Sequence, residues 1–170
     1  MQPVIETDRL IIRQITIEDA RFILDLLNQP SWIRFIGDKK VRTVEDAEKY
    51  IRNVYLASYE RHGFGLNLVE TKDNHAPIGT CGLIKRESLD DVDIGFAFLP
   101  LYWSKGYAFE AASAVMDYGR RVLKLGRIVG IATLDNESSI KLLKKLGLVF
   151  EREMIDPQDG EQLAVYGANL

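Results

Sequence analysis

The chain has 170 residues, a net charge of −3 and 46% apolar residues. That length suits one domain, spanning residues 1–170. No apolar run approaches the roughly 20 residues of a membrane span, and Met1 to Arg13 lacks the basic start and apolar block of a signal peptide, so no membrane is expected as a partner and a cytoplasmic protein is. Mixed charge gives no reason to expect nucleic acid. With Cys81 as the sole cysteine, an intramolecular disulfide is excluded. His62 and His75 have no metal-ligand spacing with each other or with Cys81, so no metal is expected.

Arg9 to Ile15 reads as a strand by its β-branched content. Thr16, with Asp19 three residues on, opens a helix that runs to about Asn28, and Pro30 is expected to stop it. Trp32 to Ile36 is a short apolar patch closed by Gly37-Asp38. Thr43, with Asp46 three residues on, begins another helix. Ala47, Tyr50, Ile51, Val54 and Ala57-Ser58 follow its 3.6 period, and it ends near His62-Gly63. Phe64 to Glu70 and Ala76 to Lys85 read as strands around the polar hairpin Thr71 to His75. Val92 to Leu99 is the next strand. Two helix–strand pairs follow, Tyr107 to Leu123 with Ile128 to Thr133, and Glu137 to Lys145 with Val149 to Met154. Leu163 to Ala168 closes the chain after the turn Asp156 to Gly160. The fold class is therefore α/β (α+β), a mixed and mostly antiparallel sheet with helices on both faces.

The segment carrying chemistry is the strand Val92 to Leu99, the loop Pro100 to Gly106 and the helix from Tyr107. A helix start aims unpaired N–H groups at what lies before it and suits a phosphate. Gly106 lets the backbone approach closely, Lys105 adds a positive charge and Ser104 a hydroxyl. Neither a P-loop nor a three-glycine dinucleotide fingerprint is present. Behind the loop, Ala108, Ala111, Ala112, Val115, Met116, Gly119, Val122 and Leu123 form one apolar stripe for packing on the sheet.

Leu101-Tyr102-Trp103-Ser104-Lys105-Gly106-Tyr107-Ala108-Phe109-Glu110-Ala111 resembles the acetyl-CoA-binding motif of the GNAT N-acetyltransferase superfamily, whose commoner form is Trp-Gly-x-Gly-Tyr-Ala-x-Glu-Ala. Glu6 to Arg13 resembles the first strand of its RimJ/RimL-like branch, and Asn28-Gln29-Pro30 with Arg34 to Gly37 its first helical region. Asp93-Ile94-Gly95-Phe96 resembles its Glu-Ile-Gly-Tyr strand. Asn136-Glu137-Ser138-Ser139, followed by Leu143 to Leu148, resembles its Asn-x-x-Ser…Glu-Lys-Leu-Gly-Phe segment. The resemblance implies acetyl-CoA as cofactor and a primary amine, on a protein N-terminus or a small molecule, as acceptor. Three departures stand out: Ser104 replaces a glycine, Asp93 a glutamate and Phe96 a tyrosine.

The implied reaction is direct acetyl transfer from a thioester to an amine. The amine must lose a proton, the oxyanion needs N–H donors and the departing thiolate a proton. An α-amine has a reference pKa near ~8 and a lysine amine near ~10.4, so an N-terminal substrate asks less of a base. Asp93 is the candidate base, acting through water, on the small-residue face it shares with Gly95 and Ala97. Ser139 is the candidate proton donor and Tyr166 its weaker rival. By the resemblance, pantetheine pairs with the backbone of Phe96, Ala97, Phe98 and Leu99. Ser104, Lys105, Gly106, Tyr107 and Ala108 meet the diphosphate, and Asn136 and Ser139 lie near pantetheine and the thioester. Plain N-capping accounts for Asn136 and Ser139 equally well, and a strand-end acid for Asp93. An acyl-CoA-binding module that has lost catalysis is the alternative function. The sequence leaves monomer and homodimer both open.

Overall fold

The computed structural model describes residues 3–170. Eight strands form one sheet in the order β1-β2-β3-β4-β5-β6-β8-β7. They are β1 (Ile5–Glu6), β2 (Leu10–Gln14), β3 (Leu66–Thr71), β4 (Pro77–Ile84), β5 (Asp93–Phe98), β6 (Arg127–Thr133), β7 (Val149–Ile155) and β8 (Gln162–Asn169). Neighbours pair antiparallel throughout, apart from β5 and β6, which are parallel. The short strand β1 has no counterpart in the sequence reading.

Alternation along the strands sends side chains to two cores. On one face α5 (Tyr107–Arg121) and α6 (Glu137–Lys145) pack through Ala111, Ala112, Val115 and Leu143 against Ile12, Val69, Ile94 and Ile128. The alanines keep α5 close to the sheet. The opposite face is covered by α1 (Ala20–Leu27), α2 (Pro30–Phe35) and α3 (Val44–Tyr50), which enclose Ile23, Leu26, Trp32, Ala47 and Leu68. A π-helical stretch, Ile51–Leu56, then leads into α4 (Ala57–His62), which ends on left-handed Gly63.

Three expectations are corrected here. Pro30 does not merely end a helix. It occupies the first turn of α2, where its missing N–H costs nothing, so the apolar patch Trp32 to Ile36 is mostly helical. The segment after Thr43 is not one continuous α-helix. Its π stretch shifts the side-chain phase, so Val54 is 40% exposed and Tyr55 only 1%. The helix after Gly106 stops at Arg121, which leaves Val122 exposed beyond the stripe. Thr43 does cap as expected: its hydroxyl accepts from Asp46 N–H while Asp46 accepts from Thr43 N–H. Among the described residues no helix is long and apolar enough to cross a membrane.

Candidate active site

The site begins as a parting of strands. β5 and β6 meet at a single register point, Asp93 beside Val129, where Val129 N–H donates to Val92 C=O. Beyond it they diverge, and a cleft of 1250 Å³ opens between them. Leu99 N–H donates to Ile78 C=O, which fixes the phase of the β4–β5 ladder. In an antiparallel pair such bonded positions recur every second residue. The backbones of Asp93, Gly95 and Ala97 therefore pair with β4, whereas those of Ile94, Phe96 and Phe98 face the parting. Trp103 Nε1–H donates to Phe98 C=O at 2.8 Å. Phe96 N–H and C=O and Phe98 N–H are left as a short open edge.

The loop after β5 ends the cleft. A 3-10 turn, Pro100–Tyr102, leads to Ser104, Lys105 and Gly106, and α5 starts at Tyr107. Gly106 sits at φ 81 and no side chain caps the helix, so its first N–H groups stay available. Ser104 also adopts a left-handed backbone, φ 59. That conformation is why a glycine is the commoner residue there: a Cβ in it costs roughly 1–2 kcal/mol.

The loop is held from behind by a clamp that sequence reading missed. Glu110, on the first turn of α5, accepts from Thr7 Oγ1–H at 2.6 Å, Arg9 N–H at 2.9 Å and Arg9 Nε at 2.7 Å. Arg9 Nη1 donates to Lys105 C=O, and its guanidinium lies 4.4 Å from the Tyr107 ring centre. Partial burial pushes the Glu110 carboxyl up, but these donors outweigh it and leave its pKa below 4.5. The only sequence signal was the pairing of Thr7-x-Arg9 with Glu110 in two distant motifs, and no periodicity links positions so far apart.

Asp93 lies at the inner end of the cleft, where the strands are still joined. It is 1% exposed, not a surface acid like its neighbour Asp90. Burial pushes its pKa up, against the opposing pull of Arg86, whose Nε donates to Asp93 Oδ1 at 2.9 Å. Asp93 Oδ2 has no partner. Trp32 Nε1, Tyr55 OH, Thr80 Oγ1 and Thr133 Oγ1 are likewise buried and unpartnered, and all five residues line this cleft. Buried polar atoms without partners are uncommon in folded proteins, and several around one cleft mark a place built for a guest. The π stretch is what turns Tyr55 into this group.

Across the parting, Asn136 caps α6: its Oδ1 accepts from Ser139 N–H at 3.3 Å. Capping uses the amide oxygen and leaves Asn136 Nδ2 and Ser139 Oγ for the cleft, which both residues line. The cleft thus brings together Asp93, Phe96, Ala97, Phe98, Ser104, Gly106, Tyr107, Ala108, Asn136 and Ser139. Three candidates stand outside its lining. Tyr166 is 6% exposed in the α5-side core, packed edge-on against Phe150 at 5.8 Å. Leu99 spends its N–H on Ile78 and its C=O on Tyr102 N–H. Lys105 offers its carbonyl to Arg9, and its Nζ lies 5.8 Å from the Tyr102 ring centre. Cys81 is fully buried, and burial pushes its thiol well above the ordinary range.

Residues 9–149 match the family model described as acetyltransferase (GNAT) domain. The chain belongs to the GNAT acetyltransferases. It is 34% identical over 155 residues to a Bacillus subtilis protein named uncharacterized N-acetyltransferase YoaA, covering 90% of this chain and 85% of that one. It is 28% identical over 149 residues to spermidine N(1)-acetyltransferase of Escherichia coli, covering 85% and 75%. Among solved structures, RimL, a ribosomal-protein acetyltransferase in complex with coenzyme A, superposes with a TM-score of 0.84 at 15% identity, covering 99% of this chain and 98% of that one. The mixed sheet with helices on both faces is thus the fold of this family, and the chain is an N-acetyltransferase.

Proposed function

We propose that this chain is a cytoplasmic enzyme that transfers acetyl from acetyl-CoA directly to a primary amine, on a protein N-terminus or a small molecule. One observation carries the reading: an open strand edge at Phe96 and Phe98 runs straight into an uncapped helix start at Gly106. An extended amide-containing arm ending in a diphosphate matches that sequence of features. The arm adds to the strand edge through main-chain hydrogen bonds, and the diphosphate takes the free N–H groups of the loop and α5.

When bound, acetyl-CoA supplies a thioester carbonyl open to attack. The chain's own groups do the rest. Phe96 N–H and Phe98 N–H orient the pantetheine arm, and Arg9 with Glu110 fixes the loop that receives the phosphates. Asn136 Nδ2–H donates toward the arm. Asp93 Oδ2, unpartnered and with a raised pKa, takes the ammonium proton directly or through a water. Burial raises its pKa above an exposed carboxylate's, which makes it the stronger base. Ser139 Oγ–H stands across the parting as the proton donor to the leaving sulfur. Tyr166, inside the opposite core, takes no part. The helices α1 to α4 exclude water from the acceptor side, where an amine and Asp93 meet.

The test is a thiol-release assay with acetyl-CoA and a panel of amines, with products read by mass spectrometry. Acetylated product supports the reading. Tight CoA binding with no product from any amine supports instead the module that has lost catalysis.

A further inference from the structure

Asp93 and Arg86 form a buried-to-open ion pair with both outer ends unused. Arg86 Nε is committed to Asp93 Oδ1, but Nη1 and Nη2 make no hydrogen bond among the described residues. The Arg86 side chain is 40% exposed and lines the same cleft as the unpartnered Asp93 Oδ2. One end of the pair is therefore a buried carboxylate oxygen without a partner at the inner end of the cleft, the other a half-exposed planar fork of N–H donors. Such a fork matches a carboxylate, two parallel hydrogen bonds at a time. Such a pair is complementary to a guest of opposite polarity, with an ammonium for Asp93 and a carboxylate for Arg86.

The neighbouring orphans agree. Trp32 Nε1–H is a donor and nothing else, and Tyr55 OH and Thr80 Oγ1 each have a proton to give. The Tyr50 phenol, also lining the cleft, is pushed up to about 12 by burial, against the pull of nearby Arg86, so it too keeps its proton at neutral pH. The Trp32 N–H calls for an oxygen acceptor on the guest, and each hydroxyl can donate to one as readily as it can accept an ammonium N–H. A polyamine has no oxygen. Its further ammonium groups would need carboxylates along the cleft, where Asp38 is already paired to Arg42 at 2.6 Å and, among the described residues, only Asp156 and Asp159, each accepting one N–H of its own turn, remain without a cation. Lys39 and Arg61 line the cleft without an ion-pair partner among the described residues.

We propose that the acetyl acceptor is an amine bearing a nearby carboxylate, as a free α-amino acid does, with Asp93 holding the ammonium and Arg86 the carboxylate. This rests on the acetyl-transfer reading and names its substrate class. In the reaction the ammonium gives one proton to Asp93, the nitrogen gains the acetyl carbon as the C–S bond breaks, and the nitrogen's second proton passes by way of Ser139 Oγ to the departing thiolate, releasing CoA thiol. Arg86 is a specificity residue that holds the acceptor and takes no proton.

The experiment uses the full chain and acetyl-CoA. It measures kcat/KM for leucine, phenylalanine, histidine and tryptophan, each beside its primary amide and its decarboxylated amine. A C-terminally amidated dipeptide and spermidine complete the panel. In the best pair the acid should exceed its decarboxylated amine by about 10–100-fold, the range of a charge-assisted hydrogen bond. Arg86→Gln should collapse that ratio to a few-fold, chiefly by raising KM for the acid, with Arg86→Lys in between. Trp32→Phe, which keeps the ring and loses the N–H, should raise KM for the acid several-fold. Decarboxylated amines, the amidated dipeptide or spermidine turning over best would overturn the proposal alone. So would an Arg86→Gln enzyme slowed equally on acid and amine, because a purely structural arginine acts without regard to the carboxylate. No product from any amine, with CoA still bound, refutes the transferase reading and this proposal with it.

Discussion

The two sides of the cleft are built differently. On the α5 side, the groups proposed to meet the cofactor are mostly main-chain: the open edge of β5 at Phe96 and Phe98, and the N–H groups after Gly106, with the Asn136 side chain beside them. On the side covered by α1 to α4, the groups proposed to meet the acceptor are side chains drawn from distant places in the sequence, among them Trp32, Tyr55, Thr80 and Asp93. Backbone recognition depends on conformation, which one glycine and one helix start can specify within ten residues. Side-chain recognition depends on tertiary placement. In the proposed function the first kind serves the cofactor, and the second is free to vary with the acceptor.

The comparison is broken most severely by Asp93→Asn. Removing the proposed base should lower kcat by roughly 10²–10⁴-fold while CoA affinity, measured by calorimetry, stays within a few-fold. Loss of CoA binding in that variant would show that the two sides are not separable. Gly106→Glu is the converse. A Cβ there, at φ 81, would come 3.3 Å from Arg9 Nη2, and the added carboxylate would repel a diphosphate. CoA affinity should fall by about 100-fold or more, as expected for a repelled charge and a strained backbone together. An unchanged affinity would move the diphosphate elsewhere.

A smaller effect is expected from Glu110→Gln. The Glu110 carboxyl is held below its ordinary 4.5 by the Thr7 and Arg9 donors, so the unfolded chain binds its proton more readily. Its stabilisation is present above pH 4.5 and is lost as pH falls through the lowered value. Thermal melts should therefore show Glu110→Gln less stable than the parent at pH 7, with the gap closing on acidification. A gap that widens toward low pH would contradict the clamp. The least change is expected from Ser104→Gly. Relief of roughly 1–2 kcal/mol of left-handed strain is offset by about 0.5–1 kcal/mol of added chain entropy. Urea unfolding should register a gain of about 0.5 kcal/mol, and a loss would mean that the Ser104 hydroxyl is needed in the loop.

Much of the cofactor side could be read in the sequence because its signals are local. Strand β5, the turn ending at Gly106 and the cap at Asn136 all lie where residue type and spacing place them. Their backbone phase could not be read: which of Phe96 to Leu99 face the parting follows from the Leu99–Ile78 bond to β4. The acceptor side was far less legible. Pro30 works equally as a stop and as a first-turn residue. The π stretch that buries Tyr55 leaves the 3.6-residue pattern of Ala47, Tyr50 and Ile51 looking intact. Asp93 sits beside Asp90 and Asp91, and only the tertiary fold separates the buried carboxylate from the solvated ones. The Arg9–Glu110 clamp joins residues 101 apart, beyond any local pattern.

The most direct test of the central claim is a crystal structure with coenzyme A bound. Pantetheine amides hydrogen-bonded to the backbone of Phe96 and Phe98, with the diphosphate on the N–H groups around Gly106 and Tyr107, is the predicted result. Coenzyme A lying elsewhere, with β5 and β6 drawn together and the loop before α5 vacant, would contradict it.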